Sequence, residues 1–269
     1  MQAIFSFDPH VHTVASGHHT TDRLIDVVKE ASARGLTTVG FSEHAAGMLN
    51  GCTESGFRSM LLSPKERLGV RIFIGAEANI LDESGRIDLS PALYNKLDYV
   101  ISSLHTECFR PSGRNLRAAS LWHFGAKNGG TSLEKSHDLL LTESTRAVTN
   151  AMEIGNMDVL GHPADKNFPM NFKSVVLKAK ETGVLIEIND ASVESGGYRG
   201  DNRAATAELL ALCKQYEVKI SVGSDSHGRA FVGDFAAAKA LIDQSDFPLR
   251  LIASRSAEEF FASIPRNRK

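Results

Sequence analysis

The chain has 269 residues, of which 42% are hydrophobic and 23% charged, the composition of a soluble globular protein with room for a sizeable core. Thirty basic against 32 acidic side chains leave a formal charge of −2, which argues against non-specific nucleic-acid binding, since that favours a basic domain. The three cysteines, Cys52, Cys108 and Cys213, are odd in number and far apart, so the sequence predicts no disulfide framework and a reducing, cytoplasmic setting. Met1 to Phe7 has no basic n-region and no apolar run reaches the length of a membrane span, so neither a signal peptide nor a membrane anchor is expected.

An apolar run at Ile4 to Phe7 predicts a first strand that leads into Asp8-Pro9-His10-Val11-His12-Thr13. Residues two apart in extended chain share a side, so His10 and His12 can reach one ion, with Asp8 stacked below them. The loop that follows carries His18 and His19, and Thr20 or Thr21 is positioned to cap a helix running to Gly35. Residues 37–41 predict a second strand ending in Ser42-Glu43-His44, and a short helix is expected near 57–67. The third strand, 70–74, runs into Gly75-Ala76-Glu77-Ala78-Asn79, with a small β-turn excursion over 80–88. The fourth, 99–101, ends in Ser102-Ser103-Leu104-His105.

From about 108 to 140 the periodicity fails, which reads as a long loop insertion. A helix over 142–154 then precedes the fifth strand and Gly161-His162-Pro163. A helix over 172–181, a sixth strand at 184–188 ending in Asn189, an amphipathic helix over 203–216, and a seventh strand at 218–222 ending in Gly223-Ser224-Asp225-Ser226-His227 follow. Helices near 234–242 and 257–264 finish the chain.

Strands alternating with helices predict a parallel α/β architecture in one domain, residues 1–269. His12, His44, Glu77, His105, His162, Asn189 and Asp225 all fall at or just past strand C-termini, and only a closed barrel brings those ends to one mouth. The expected fold is therefore an α/β barrel of seven β/α units. Nine residues of ligand type cluster in this pattern: His10, His12, His18, His44, Glu77, His105, His162, Asp225 and His227. They exceed the four donors one zinc ion needs, so two or three divalent metals are expected, with Glu77 as the natural bridge. Mixed imidazole and carboxylate donors suit Zn, Mn or Fe. His19, His123 and His137 fall outside the pattern and are expected to bind no metal. No G-x-S-x-G elbow, P-loop or dinucleotide fingerprint occurs.

The motifs Asp8-Pro9-His10-Val11-His12-Thr13, Ser42-Glu43-His44, Gly75 to Ile80, Ser103-Leu104-His105, Gly161-His162-Pro163 and Gly223 to His227 together resemble the successive motifs of the PHP (polymerase and histidinol phosphatase) superfamily, nearest its stand-alone YcdX-type phosphoesterases and the PHP domain attached to bacterial X-family DNA polymerases. Pro9 stands where an apolar residue is usual, and Glu43 where Asp is common, while the 108–140 stretch is longer than in such relatives. The resemblance implies a distorted (β/α)7 barrel and a trinuclear site: His10, His12, Glu77 and Asp225 on one ion, Glu77 bridging to a second held by His105 and His162, and His18, His44 and His227 on a third. It implies a metal-dependent phosphoesterase acting on a small phosphomonoester (a sugar phosphate, nucleotide or histidinol phosphate), with Glu77, Asp225 and His227 at the reacting centre. The third metal, or Arg199 or Arg203, is expected to clamp the phosphate, and Asp8 to fix an imidazole tautomer as a second-layer partner. A nuclease acting on DNA ends and a non-catalytic metal-binding module are the rival readings.

Overall fold

A computed structural model describes residues 4–16, 19–110, 131–193 and 201–268. The first strand, β1, is Phe7–His12, and all six of its residues are buried. It therefore begins where the apolar run at Ile4 to Phe7 was expected to end. The polar half of the segment stays extended because its side chains point into the barrel rather than to water. The remaining strands are β2 (Thr38–Phe41), β3 (Glu66–Arg67), β4 (Val70–Ile74), β5 (Ala76–Asn79), β6 (Val100–Ser103), β7 (Val159–Leu160), β8 (Leu185–Asn189), β9 (Ile220–Gly223) and β10 (Ser226–His227).

Hydrogen bonding divides them into two five-stranded sheets, ordered β10-β1-β2-β4-β3 and β5-β6-β7-β8-β9. Every pairing is parallel except β3 with β4. Two chain segments serve both sheets. β4 pairs with β2, but one residue later, past Gly75, β5 pairs with β6, and a bridge between His44 and Glu77 ties the sheets together. β9 pairs with β8, whereas β10, past Ser224 and Asp225, lies on β1 with Val11 opposite Ser226 and His12 opposite His227. The result is a distorted (β/α)7 barrel whose ladder is interrupted where these two segments change partner.

Helices Leu24–Ala33, Thr131–Ile154, Phe172–Thr182, Arg203–Tyr216 and Ala236–Gln244 cover the outside. The first starts after Arg23, whose N–H is taken by Asp26, and not at a threonine cap. Asn171 caps the Phe172–Thr182 helix by accepting from the Ser174 N–H, and Gly183 ends it at φ 79°. The helix Thr131–Ile154 reaches well into the stretch read as a loop, so the irregular part of that insertion is shorter than expected. Residues 111–130, with His123, lie outside the described residues.

Inside the barrel the lower layer is filled by Phe7, Tyr99, Ile101, Val159 and Leu185, closed off by Ala257, Phe260 and Ile264 from the C-terminal segment. The Tyr99 ring lies so close across β2 and β4 that a Cβ at Gly40 or Gly75 would fall 2.3 Å from its Oη or 2.6 Å from its Cζ. Glycine is required there by close approach rather than by backbone angle. Tyr99 Oη donates to the Pro9 carbonyl at 2.5 Å.

Candidate metal centre

Phe7 fills the barrel floor, and a register shift between Asp8 and Val11 turns His10 and His12 to the same interior side at the mouth, where unbroken alternation would set them opposite Phe7. Glu77 on β5 is wholly buried and forms the focus. Its Oε2 lies 2.8 Å from His44 Nδ1 and 3.4 Å from both His10 Nε2 and His12 Nε2. Its Oε1 lies 2.9 Å from His162 Nε2 and 3.3 Å from His105 Nε2, and accepts from Ser103 Oγ at 2.7 Å. Asp225 Oδ1 stands 3.4 Å from His10 Nε2, 3.3 Å from His12 Nε2 and 3.8 Å from His227 Nδ1. The rings of His12 and His44 stack at 4.2 Å, and those of His12 and His227 at 4.5 Å.

Eight of the nine expected ligands thus converge, and His18 lies outside the described residues. Three sets of donors are close enough to share an ion: His12, His44 and His227; His10, His12 and Glu77; His44, Glu77 and His105.

The donor chemistry fits a divalent metal. His10 Nε2, both ring nitrogens of His12, His105 Nε2 and Glu77 Oε2 are buried and make no hydrogen bond. Buried polar atoms are ordinarily hydrogen-bonded, so this many in one place suits a cation, with one of the two His12 nitrogens offering the lone pair. Electrostatics agree at His12 and Glu77, while at His10 burial is outweighed by Glu187, Asp225 and Glu77, which push its pKa well above the usual value. Burial pushes the His12 pKa well below its usual value, helped by His44 and His227, so its ring is held neutral. Burial alone would raise Glu77, but His44, His105 and His10 outweigh it and hold the carboxyl well below the usual range. His227 is lowered, chiefly by burial.

The supporting layer differs from expectation. Asp8 touches no imidazole. Its Oδ1 accepts the N–H groups of His10 and Ser224 at 3.3 and 3.2 Å, and its Oδ2 that of Gly233 at 2.7 Å, while burial raises its pKa to about 6. The carboxylate on His10 belongs instead to Glu187, whose Oε1 is 2.6 Å from Nδ1. His105 Nδ1 donates to Asn79 Oδ1 at 2.7 Å, and Asn79 Nδ2 donates to Asp88 at 2.6 Å. Neither Glu187 nor Asn79 was singled out as a partner from the sequence, though a glutamate inside the apolar run of β8 was a visible signal. Glu43, beside His44, is buried and accepts from the Thr13 N–H and Oγ1 and from Ser16 Oγ, while Ser16 Oγ in turn accepts the His44 N–H at 3.1 Å.

A cleft of about 260 Å³ opens above the cluster, lined by His44, His105 and His227 and walled by Met48, Leu104 and Phe168 together with Glu107 and Asp165. His19, set aside as a loop neighbour, also lines it, with its ring 6.0 Å from that of His227. Arg203 is exposed at the start of its helix and is not part of this lining, and Arg199 lies outside the described residues. His137 is on the helix Thr131–Ile154 beside Asp138, away from the cluster.

The barrel and its imidazole–carboxylate mouth define a class, α/β-barrel proteins with a candidate metal centre at the strand C-termini. Residues 8–194 match the PHP domain family model. A probable phosphatase of Caldicellulosiruptor saccharolyticus is 33% identical over 94% of this chain and 93% of its own, and one of Clostridium acetobutylicum 35% identical over 92% and 89%. Among solved structures, a histidinol phosphate phosphatase of Lactococcus lactis, complexed with zinc, L-histidinol and phosphate, shares the fold at TM-score 0.59 and 16% identity, covering 90% of this chain and 94% of its own. The chain therefore belongs to the PHP domain family, and it is a phosphatase-type hydrolase that uses divalent metal.

Proposed function

We propose that the protein hydrolyses a small phosphomonoester at a trinuclear centre held by His10, His12, His18, His44, Glu77, His105, His162, Asp225 and His227. The observation that carries this reading is the set of buried ring nitrogens and carboxylate oxygens that face one another without hydrogen bonds. In this reading Glu77 spans two ions, His10, His12 and Asp225 complete one, His105 and His162 the second, and His18, His44 and His227 the third. Zinc, manganese or iron suits the donor set. Bound there, divalent cations would supply a hydroxide nucleophile at neutral pH and offset the charge of the phosphate.

The chain's own residues then have defined tasks. Glu77, Asp225 and His227 face the reacting centre, and the neutral ring of His12 keeps its one lone pair available. The cleft holds the leaving group between Met48, Leu104 and Phe168. Its size and the absence of Lys or Arg from its described lining favour a small metabolite over a DNA end. With Arg203 apart from that lining, phosphate recognition falls to the metal cluster and to Arg199, which lies outside the described residues. No helix among the described residues is long and apolar enough to cross a membrane. Three free buried cysteines suit a cytoplasmic setting, and one core cluster that runs from Phe5 to Ile252 supports a single unit over 1–269.

Two measurements test this. Elemental analysis of protein from metal-supplemented growth should find about two to three equivalents of transition metal, in keeping with groups of three to four donors each. A value near zero or one would overturn the trinuclear reading. Metal-loaded protein should hydrolyse an aryl phosphate and, from a panel of phosphorylated metabolites, prefer a monoester. Cleavage of DNA ends without monoesterase activity would replace this reading with the nuclease one.

A further inference from the structure

Glu187 stands in the middle of β8, in the run Leu-Ile-Glu-Ile-Asn, and is 1% exposed. A buried carboxylate must be met by donors, because an unmatched buried charge is costly. The donors here come from separate elements. Oε1 is 2.6 Å from His10 Nδ1 at the end of β1. Oε2 accepts the backbone N–H of His162, just past β7, at 2.8 Å, and Asn189 Nδ2 at 3.1 Å. The same Asn189 Nδ2 lies 3.2 Å from Asp225 Oδ2. One side chain therefore touches the ring of one ligand and the backbone of a second, and reaches the carboxylate of a third through Asn189.

Two of those ligands have backbones that need holding. His162 has φ 29° and Asp225 φ 55°, values that non-glycine residues keep only where their surroundings fix them. The packing around Glu187 is also tight. A Cβ at Gly223 would fall 2.6 Å from Glu187 Oε1 and 2.7 Å from His10 Cβ, so the lack of a side chain there is what lets β9 pass beside the contact.

We propose that Glu187 is a positioning residue that sets the spacing of two of the metal sites. The inference rests on the metal reading above, in which His10 and Asp225 serve one ion and His162 the next. With Nδ1 donating to a carboxylate, the His10 ring presents Nε2 to the cluster, the arrangement by which an outer carboxylate orients a ligand and raises its basicity. The other oxygen fixes the His162 backbone, and with it the ring nitrogen 2.9 Å from Glu77 Oε1. Glutamine in this place has one acceptor and one NH2 group, and the NH2 would have to face an N–H donor on one side or the other. It cannot serve both ligands.

The test titrates metal-free wild type and Glu187→Gln with Mn2+, counting free ion by electron paramagnetic resonance, with circular dichroism to confirm folding. The expected result is a weakening of two binding steps by about 10- to 100-fold each, the usual cost of losing an outer-layer partner, with a remaining step unchanged. Equal affinities in folded wild type and variant would overturn the proposal. So would weakening of one step alone, which would make Glu187 a partner of His10 only. Gly223→Ala keeps every ligand and Glu187 itself, displaces the contact sterically, and should weaken the same two steps. It decides the matter if Glu187→Gln does not fold. A wild type that binds fewer than two ions would overturn the metal reading itself, a different result from unaltered variants of a metal-binding wild type.

Discussion

The two ends of the barrel are built from the same strands and handle charge in opposite ways. At the floor, Asp158, just ahead of β7, is fully buried and meets Arg266 at 2.5 Å and the Val100 N–H at 2.8 Å. Arg266 also donates to the Tyr94 and Leu97 carbonyls, and its guanidinium lies 4.3 Å from the Tyr94 ring centroid. At the mouth, two carboxylates, Glu77 and Asp225, face imidazoles, with no Lys or Arg among the described lining residues. The floor supplies its own cation, Arg266. The mouth collects acceptors and is complete only with cations from outside. A buried charge is retained in both places, in one to hold the structure and in the other to hold a reagent.

That contrast can be broken most forcefully at Glu77. Glu77→Gln keeps the size but removes the shared negative charge, and kcat on an aryl phosphate should fall by about 10²-fold or more, with metal content falling alongside. Near-normal turnover with full metal content would mean that the mouth does not work through Glu77. Arg266→Ala is the mirror experiment. It strands a buried carboxylate and should cost on the order of 3 kcal/mol in urea unfolding, while bound metal per folded chain stays as in wild type. Metal loss from that variant would show the two ends to be coupled.

A finer comparison lies within the mouth. His10 is oriented by a carboxylate, whereas His105 is oriented by the neutral amide of Asn79. Asn79→Ala should weaken one binding step by about 10-fold in the same Mn2+ titration, the lower end of the range for such partners. A loss across two steps would put Asn79 on a par with Glu187. The smallest effect is expected from the double change His123→Ala/His137→Ala, which should leave metal content unchanged by elemental analysis. Loss of an equivalent would show that the ligand set omits one of them.

Much of this was legible because barrels put function at strand ends. The ligand-type residues after β2, β6, β7 and β9 could be placed without coordinates. What the sequence hid has physical causes. β1 was read too early because Asp8, His10 and His12 look like the end of an apolar run, although in a barrel whose interior is polar at one end they are its buried continuation. β10 is only Ser226–His227, too short to show any period. Asp8 looked like the orienting carboxylate because it precedes two histidines on one strand. The group that fills that role, Glu187, comes from a strand 177 residues away, and no local pattern reports such a contact. The helix Thr131–Ile154 was read only from 142 onward, since Ser, Lys, His and Asp dilute the apolar stripe in its first turns.

The two segments that change sheets have a mechanical consequence. Glu77 lies where 70–79 has crossed from β2 to β6, and Asp225 lies between β9 and β10, so both acidic residues of the cluster sit on the seams of the barrel. Few ladder hydrogen bonds span those seams: the Ala45 N–H to Glu77 carbonyl and the Glu77 N–H to Glu43 carbonyl on one side, and the Gly228 N–H to His12 carbonyl among those on the other. Ions held by Glu77 and Asp225 would rivet the halves together where the backbone stitches them least. Chelation should then speed amide hydrogen exchange first along these two lines, well before the continuous β6-β7-β8 ladder opens.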